Sequence, residues 1–148
     1  MSSPEKSIDV SVSADAVWAV LADGWLYPLW VVGATHMRAV DDDWPAVGSQ
    51  LHHSVGVWPF QLSDSTTVLD VAPGRMLTLQ AKAWPAGTAR VEIRLEPTPE
   101  GCRIHMAEEA DRGIGWLVPS VVQAPGIRLR NSEALARLRD VAEHRHHR

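Results

Sequence analysis

This sequence predicts an α+β fold in which a curved antiparallel sheet wraps around one long C-terminal helix. Three observations carry that reading. Between Gly33 and Ala107 the apolar residues recur with period two, broken at short intervals by Gly, Pro and Asp clusters. Over residues 127–145 the period is helical instead. Ile127, Ala134, Leu135, Leu138, Val141 and Ala142 share one face, while Arg128, Glu133, Arg137, Arg139, Asp140 and Glu143 lie off it. A sheet with one apolar face needs a cover, and this is the one long amphipathic helix available to supply it.

The elements follow in order. Residues 6–12 alternate, with Ile8, Val10 and Val12 on one side, and read as a strand. Ser13 is placed to cap a short helix over 14–22, with Asp15 near its positive end and Gly24 as its stop. Residues 25–32 read as a second short helix or turn, packed by Trp25 and Trp30. Strands follow over 34–40, 50–58, 63–71 and 75–83, the last with Thr78, Gln80 and Lys82 on its polar face. Asp41 to Gly48, Pro73-Gly74 and Pro85 to Gly87 make turns. Ala89, Val91, Ile93 and Leu95 alternate with Arg90, Glu92, Arg94 and Glu96, the cleanest amphipathic strand in the chain. Cys102, Ile104 and Met106 then alternate with Arg103, His105 and Ala107. Residues 113–126 are expected to be irregular, with Pro125 and Gly126 preceding the last helix. Glu133 and Arg137 form an i,i+4 pair in the favourable order.

Length and composition bound the function classes. The 148 residues are read as one domain, 1–148, with 45% hydrophobic and 22% charged content, so the chain is globular. A formal charge of −4 argues against nucleic acid as a partner, and the arginines of the last helix are interleaved with acids. One cysteine, Cys102, excludes an internal disulfide and is read as an inert core thiol in a reducing compartment. No basic-then-apolar leader opens the sequence, and its apolar stretches fall short of the ~20 residues that span a bilayer. The expected location is cytoplasmic, without stable membrane insertion. Homodimerisation is left open.

Several stretches resemble a known family. They are Ser11-Val12-Ser13-Ala14-Asp15-Ala16-Val17-Trp18, Tyr27-Pro28-Leu29-Trp30, Trp44-Pro45-Ala46-Val47-Gly48-Ser49, Gln50-Leu51-His52-His53-Ser54-Val55-Gly56 and Arg130-Asn131-Ser132-Glu133-Ala134-Leu135. With the element order, they resemble bacterial polyketide cyclase/dehydrase-like proteins of the START/Bet v 1-like (SRPBCC) superfamily, over almost the whole chain. The resemblance implies the helix-grip fold: seven antiparallel strands gripping a C-terminal helix over an apolar cavity, with two short helices after the first strand. It also implies binding of lipids, polyketides or similar hydrophobic compounds, with or without catalysis.

Candidate chemistry is sparse. His52 and His53 are adjacent in a strand, so they point to opposite faces and cannot share a ligand. His53 shares its parity with Leu51, Val55 and Val57 and is assigned to the inner face. Glu108 continues the Cys102, Ile104, Met106 parity inward, and Asn131 sits on the apolar face of the helix. These three polar groups are expected to meet in one cavity lined by Val55, Leu79, Ala81, Val91, Ile93, Met106 and Leu135. Trp18 and Trp30 are assigned to the core, and Trp58, Trp84 and Trp116 to loops that could close the cavity mouth. No nucleophile elbow, phosphate loop, dinucleotide fingerprint or zinc spacing is present, and no cofactor or metal is expected. Three readings stand. The first is a non-catalytic binder of a small hydrophobic molecule held between sheet and helix. The second is a cyclase or dehydratase with His53 or Glu108 as acid/base and Asn131 orienting a carbonyl. The third is an interaction module whose filled core serves only the fold.

Overall fold

The computed structural model describes residues 5–31, 34–55, 62–83, 87–112 and 120–146. The elements are β1 (Glu5–Val10), α1 (Ala14–Leu21), a 3-10 turn (Gly24–Leu26), α2 (Tyr27–Trp30), β2 (Ala34–Val40), β3 (Gln50–Val55), β4 (Leu62–Ala72), β5 (Met76–Ala83), β6 (Gly87–Thr98), β7 (Gly101–Arg112) and α3 (Ser120–His146). The strands form one antiparallel sheet in the order β1-β7-β6-β5-β4-β3-β2. Every pair of sequential strands from β2 to β7 is joined directly, and β1 closes on β7. This is the predicted architecture, a curved seven-stranded sheet gripping the C-terminal helix.

Alternation decides which residues reach the core. Leu77, Leu79, Ile93, Leu95, Ile104 and Met106 are buried along one face of β5, β6 and β7. Arg90, Arg94, Glu96 and Arg103 are exposed on the other. In β4 the register shifts between Val68 and Asp70, so Val68 pairs with Leu79 while Val71 pairs with Leu77. This bulge lets an even and then an odd position face inward, which strict alternation does not reveal. Thr78, expected on the polar face, is 2% exposed, with its hydroxyl 3.1 Å from the Met76 sulfur. Burial on the outer face is a property of the folded neighbours, not of the alternation.

The helices differ from expectation in instructive ways. Ser13 caps α1 as expected, its Oγ accepting the Ala16 N–H at 3.2 Å. Gly24 does not stop α1 through a left-handed conformation. It lies in the following 3-10 turn, where an added Cβ would stand 2.5 Å from a Leu51 methyl and 2.8 Å from one of Val40. The glycine is needed for close approach of turn and sheet. Trp30 is buried and meets Tyr27 edge-on at 5.3 Å between centroids. Trp25, expected to pack beside it, is instead 57% exposed.

The last helix begins at Ser120, seven residues before the expected start, and Pro125 and Gly126 lie inside it. The expected irregular segment is therefore helical from 120 onward. Pro and Gly mark helix ends by propensity alone, and propensity is a weak determinant that tertiary context overrides. The predicted apolar face holds where side chains are described: Ala134, Leu135, Leu138 and Ala142 are buried, with Val141 half-buried. The helix packs on β1, β7, α1 and α2. Glu133 and Arg137 form the expected ion pair. Glu143, placed off the apolar face, is half-buried and does structural work: one of its oxygens accepts both the N–H and the hydroxyl of Ser11 at 2.8 Å. It pins the end of the helix to the turn after β1.

Candidate functional site

The inner face of the sheet carries polar groups at few positions. Registers align Val68, Leu79, Val91 and Glu108 as one row across β4, β5, β6 and β7. The neighbouring row runs Leu51, Thr66, Ala81 and Ala89. Another runs Leu77, Ile93 and Met106. No register shift separates Met106 from Glu108, so Glu108 does continue the inward parity. It is half-buried among Leu79, Val91 and Met106 positions.

Two further hydroxyls join this interior, and the sequence reading missed both. Tyr27 Oη lies 3.0 Å from Thr66 Oγ1, with Thr66 fully buried and Tyr27 5% exposed. Burial pushes the Tyr27 phenol up to about 12; the Thr66 hydrogen bond opposes this, and the nearby Glu108 carboxylate adds to it. A phenol with that shift is neutral throughout the physiological range and acts as a hydrogen-bonding group. The signals were slight. Tyr27 is the only tyrosine, within one of the stretches that carry the family resemblance, and Thr66 holds the inward parity of Val68.

The other residues expected to line the cavity differ in their burial. Leu79, Ile93, Met106 and Leu135 are buried in one continuous core cluster. Ala81 and Val91 are half-buried. His53 is in β3, opposite Met37 and Asp64, and Val55 pairs with Ala34 and Leu62. The side chains of His53, Val55 and Asn131 lie outside the described residues, as do Trp58, Trp84 and Trp116. Strands β4, β5 and β6 stand between His53 and Glu108. At about 4.8 Å per strand this is roughly 19 Å along the sheet, so only its curvature can bring the two toward a common ligand.

Of the adjacent histidines, only the side chain of His52 is described. His52 turns to the outer side, its Nε2 3.1 Å from Asp41 Oδ1. Cys102 is buried, and desolvation raises its thiol, consistent with an unreactive core residue. Among the described residues no three His, Cys, Asp or Glu side chains are grouped to hold a metal ion. None of the described helices is long and apolar enough to cross a membrane. The outer face carries an ion-pair ladder. Arg103 Nε donates to Asp9 at 2.8 Å, Arg94 reaches Glu5 at 3.1 Å, and His105 Nε2 lies 2.9 Å from Glu96. The hydrogen bond from Arg103 holds Asp9 below the usual carboxylate range, and that with His105 does the same for Glu96.

Among the described residues, the Tyr27 and Thr66 hydroxyls and the Glu108 carboxylate are the groups that the interior offers for chemistry. A family model described as polyketide cyclase / dehydrase and lipid transport matches residues 1–143. The chain belongs to this family. Among solved structures, the family member resembles protein NE0264 from Nitrosomonas europaea, with 17% identity and a TM-score of 0.76, over 99% of this chain and 97% of that one. Protein SA2116 from Staphylococcus aureus, described as of unknown function, superposes with a TM-score of 0.74 at 8% identity, over 97% and 94% of the two chains. Ara h 8.0201 does so with a TM-score of 0.67 at 11% identity, over 93% and 95%. At such identities the likeness is one of fold, and it includes the Bet v 1-like arrangement. Comparison with curated proteins gives no match in sequence.

Proposed function

We propose that this polyketide cyclase/dehydrase-family chain, acting as one domain over 1–148, binds a small hydrophobic molecule between its sheet and α3, without catalysis. The observation that carries the reading is the half-buried Glu108 on the inward parity of β7, in the same interior as the buried Tyr27–Thr66 pair. A core that serves only the fold keeps a carboxylate there at a desolvation cost that its partners must offset. A ligand cavity, by contrast, combines apolar walls with a few orienting polar groups. His53, Val55, Leu79, Ala81, Val91, Ile93, Met106, Asn131 and Leu135 complete the proposed lining. The family's description, which includes lipid transport, supports the ligand class.

A catalytic reading, as a cyclase or dehydratase with Glu108 or His53 as acid/base, has one specific support. The Glu108 carboxylate adds to the rise of the Tyr27 phenol, so a carboxylate and a neutral hydroxyl donor serve one interior, the first suited to act as base and the second to hold a carbonyl.

Native mass spectrometry of freshly purified protein tests the proposal. The expected result is a retained apolar molecule, or saturable uptake of added lipids and aromatic polyketides. Asn131→Leu should weaken uptake of a polar-headed hydrophobe and leave the fold intact. Failure of every such ligand to bind, with a folded protein in hand, overturns the binding reading. Turnover of a cyclisable polyketide that disappears in Glu108→Gln replaces it with the catalytic one.

A further inference from the structure

A second concave surface lies outside the sheet–helix interior. Between α1, the 3-10 turn and the β2–β3 turn, the protein forms an open groove of about 380 Å³. Small residues, among them Ala22 and Gly24, lie along it. The indoles of Trp25 and Trp44 and the carboxylates of Asp23, Asp41 and Asp42 line it too, and neither lysine nor arginine does.

The groups are held rather than loose. The backbone N–H of Trp25 donates to Asp23 Oδ1 at 3.2 Å, which fixes that carboxylate, and the Trp44 indole N–H donates to the Leu21 carbonyl at 3.1 Å. Asp41 accepts the Gln50 N–H at 2.9 Å and meets His52 with its other oxygen. Asp42 is exposed, and Trp25 presents more than half its surface to solvent. An exposed tryptophan, Trp25, beside an anchored one, Trp44, and three carboxylates costs more to leave in water than polar residues would. Together they complement a cation that also offers an alkyl stem: the indole face attracts the charge, and the acids supply its counterions.

We propose that this groove docks an arginine or lysine side chain projecting from a partner protein. Charge complementarity selects that occupant. Nucleic acid and an anionic lipid surface would bring negative charge against three carboxylates, as would a second copy of this chain at net −4. The open shape suits a side chain presented on a surface better than a small molecule that must be enclosed. Tryptophan and arginine are also the residues most enriched at the energetic centres of interfaces.

The test uses the full chain and a capped Gly-Arg-Gly tripeptide, read by the indole N–H signals of Trp25 and Trp44 in NMR titrations. The uncharged control has citrulline in place of arginine. Saturable shifts are expected with the arginine peptide only, weakening as salt rises toward physiological ionic strength. Trp25→Ala, read on the Trp44 signal, and Asp42→Asn should each weaken binding roughly two- to five-fold, the range of an exposed cation–π contact. Both side chains are exposed, so thermal midpoints should not move, and either variant alone suffices. Equal binding of the citrulline peptide overturns the proposal, as does the absence of shifts with both peptides. Shifts that track protein concentration and self-association also overturn it.

Discussion

At the scale of single residues, the interior is defined by Tyr27 and Thr66 as much as by any aliphatic side chain. Tyr27 is the only tyrosine, so absorbance near 295 nm reads its ionisation directly. Its folded value is raised to about 12 from the ordinary 10. The linked stability is therefore complete below pH 10 and is lost as pH rises from there through the folded value. No more than about a tenth of the ring should ionise by pH 11 while the circular dichroism remains native; a midpoint near 10 in folded protein would show the ring to be solvated. Thr66→Val removes the partner and keeps the shape. It should destabilise by about 1–3 kcal/mol in urea unfolding, the cost of stranding a buried polar group. Little of this was legible in the sequence. Thr66 reads as one more small polar residue in a β4 segment that also contains Ser63, Ser65 and Thr67. Only the register with Leu51 and Ala81 puts it in the core.

At the scale of elements, α3 is the keystone, and its described apolar face was readable from periodicity. Leu138 is fully buried, whereas Arg139 is half-buried with its guanidinium 3.8 Å from Asp140. Leu138→Ala should cost about 2–5 kcal/mol and Arg139→Ala no more than about 0.5 kcal/mol in denaturant midpoints converted to free energy. Similar midpoints for both would mean that the face is wrongly assigned. The helix start was not readable, because Pro125 and Gly126 carry strong end signals that the packed chain overrides. Gly24 makes the same point from the other side. Gly24→Ala should destabilise by about 1–3 kcal/mol, since its methyl would press on Leu51 and Val40 in a closed core. A tolerated alanine, with an unchanged thermal midpoint, would mean that the turn can retreat from the sheet.

At the scale of the whole molecule, one sheet presents two electrostatic environments. Its inner face is apolar with Glu108 upon it, and its outer face is laced by Asp9–Arg103, Glu5–Arg94 and Glu96–His105 pairs. Asp9 and Glu96 have folded values below their ordinary ones. Their contribution to stability is present above the ordinary carboxylate range and is lost as pH falls through the folded values. Both are exposed, so the effect is gentle and screened by salt. The thermal midpoint should decline below about pH 4, and less steeply in Asp9→Asn at low ionic strength. An identical acid limb in that variant would remove Asp9 from the linkage. The Asp9 and Glu5 pairs bind β1 to β7 and β6, and Glu96–His105 joins β6 to β7, so acid should loosen the strand at the sheet edge.

The alternating strands, the capped first helix and the covering helix face follow from the sequence alone. Each is a local pattern: period two, a serine before a helical run, and apolar residues three and four apart. The order of elements, read with the family resemblance, was enough for the grip architecture. The tertiary structure alone decided where those patterns meet. It shifted the β4 register so that Val68 and Val71 both face inward, brought Tyr27 from α2 onto Thr66, and set three strands between His53 and Glu108. It also left Trp25 in solvent and drew Glu143 across the chain to Ser11. Such outcomes depend on long-range registers and on packing between segments distant in sequence. No residue encodes them through its own propensity; they arise only when the whole sheet closes on its helix.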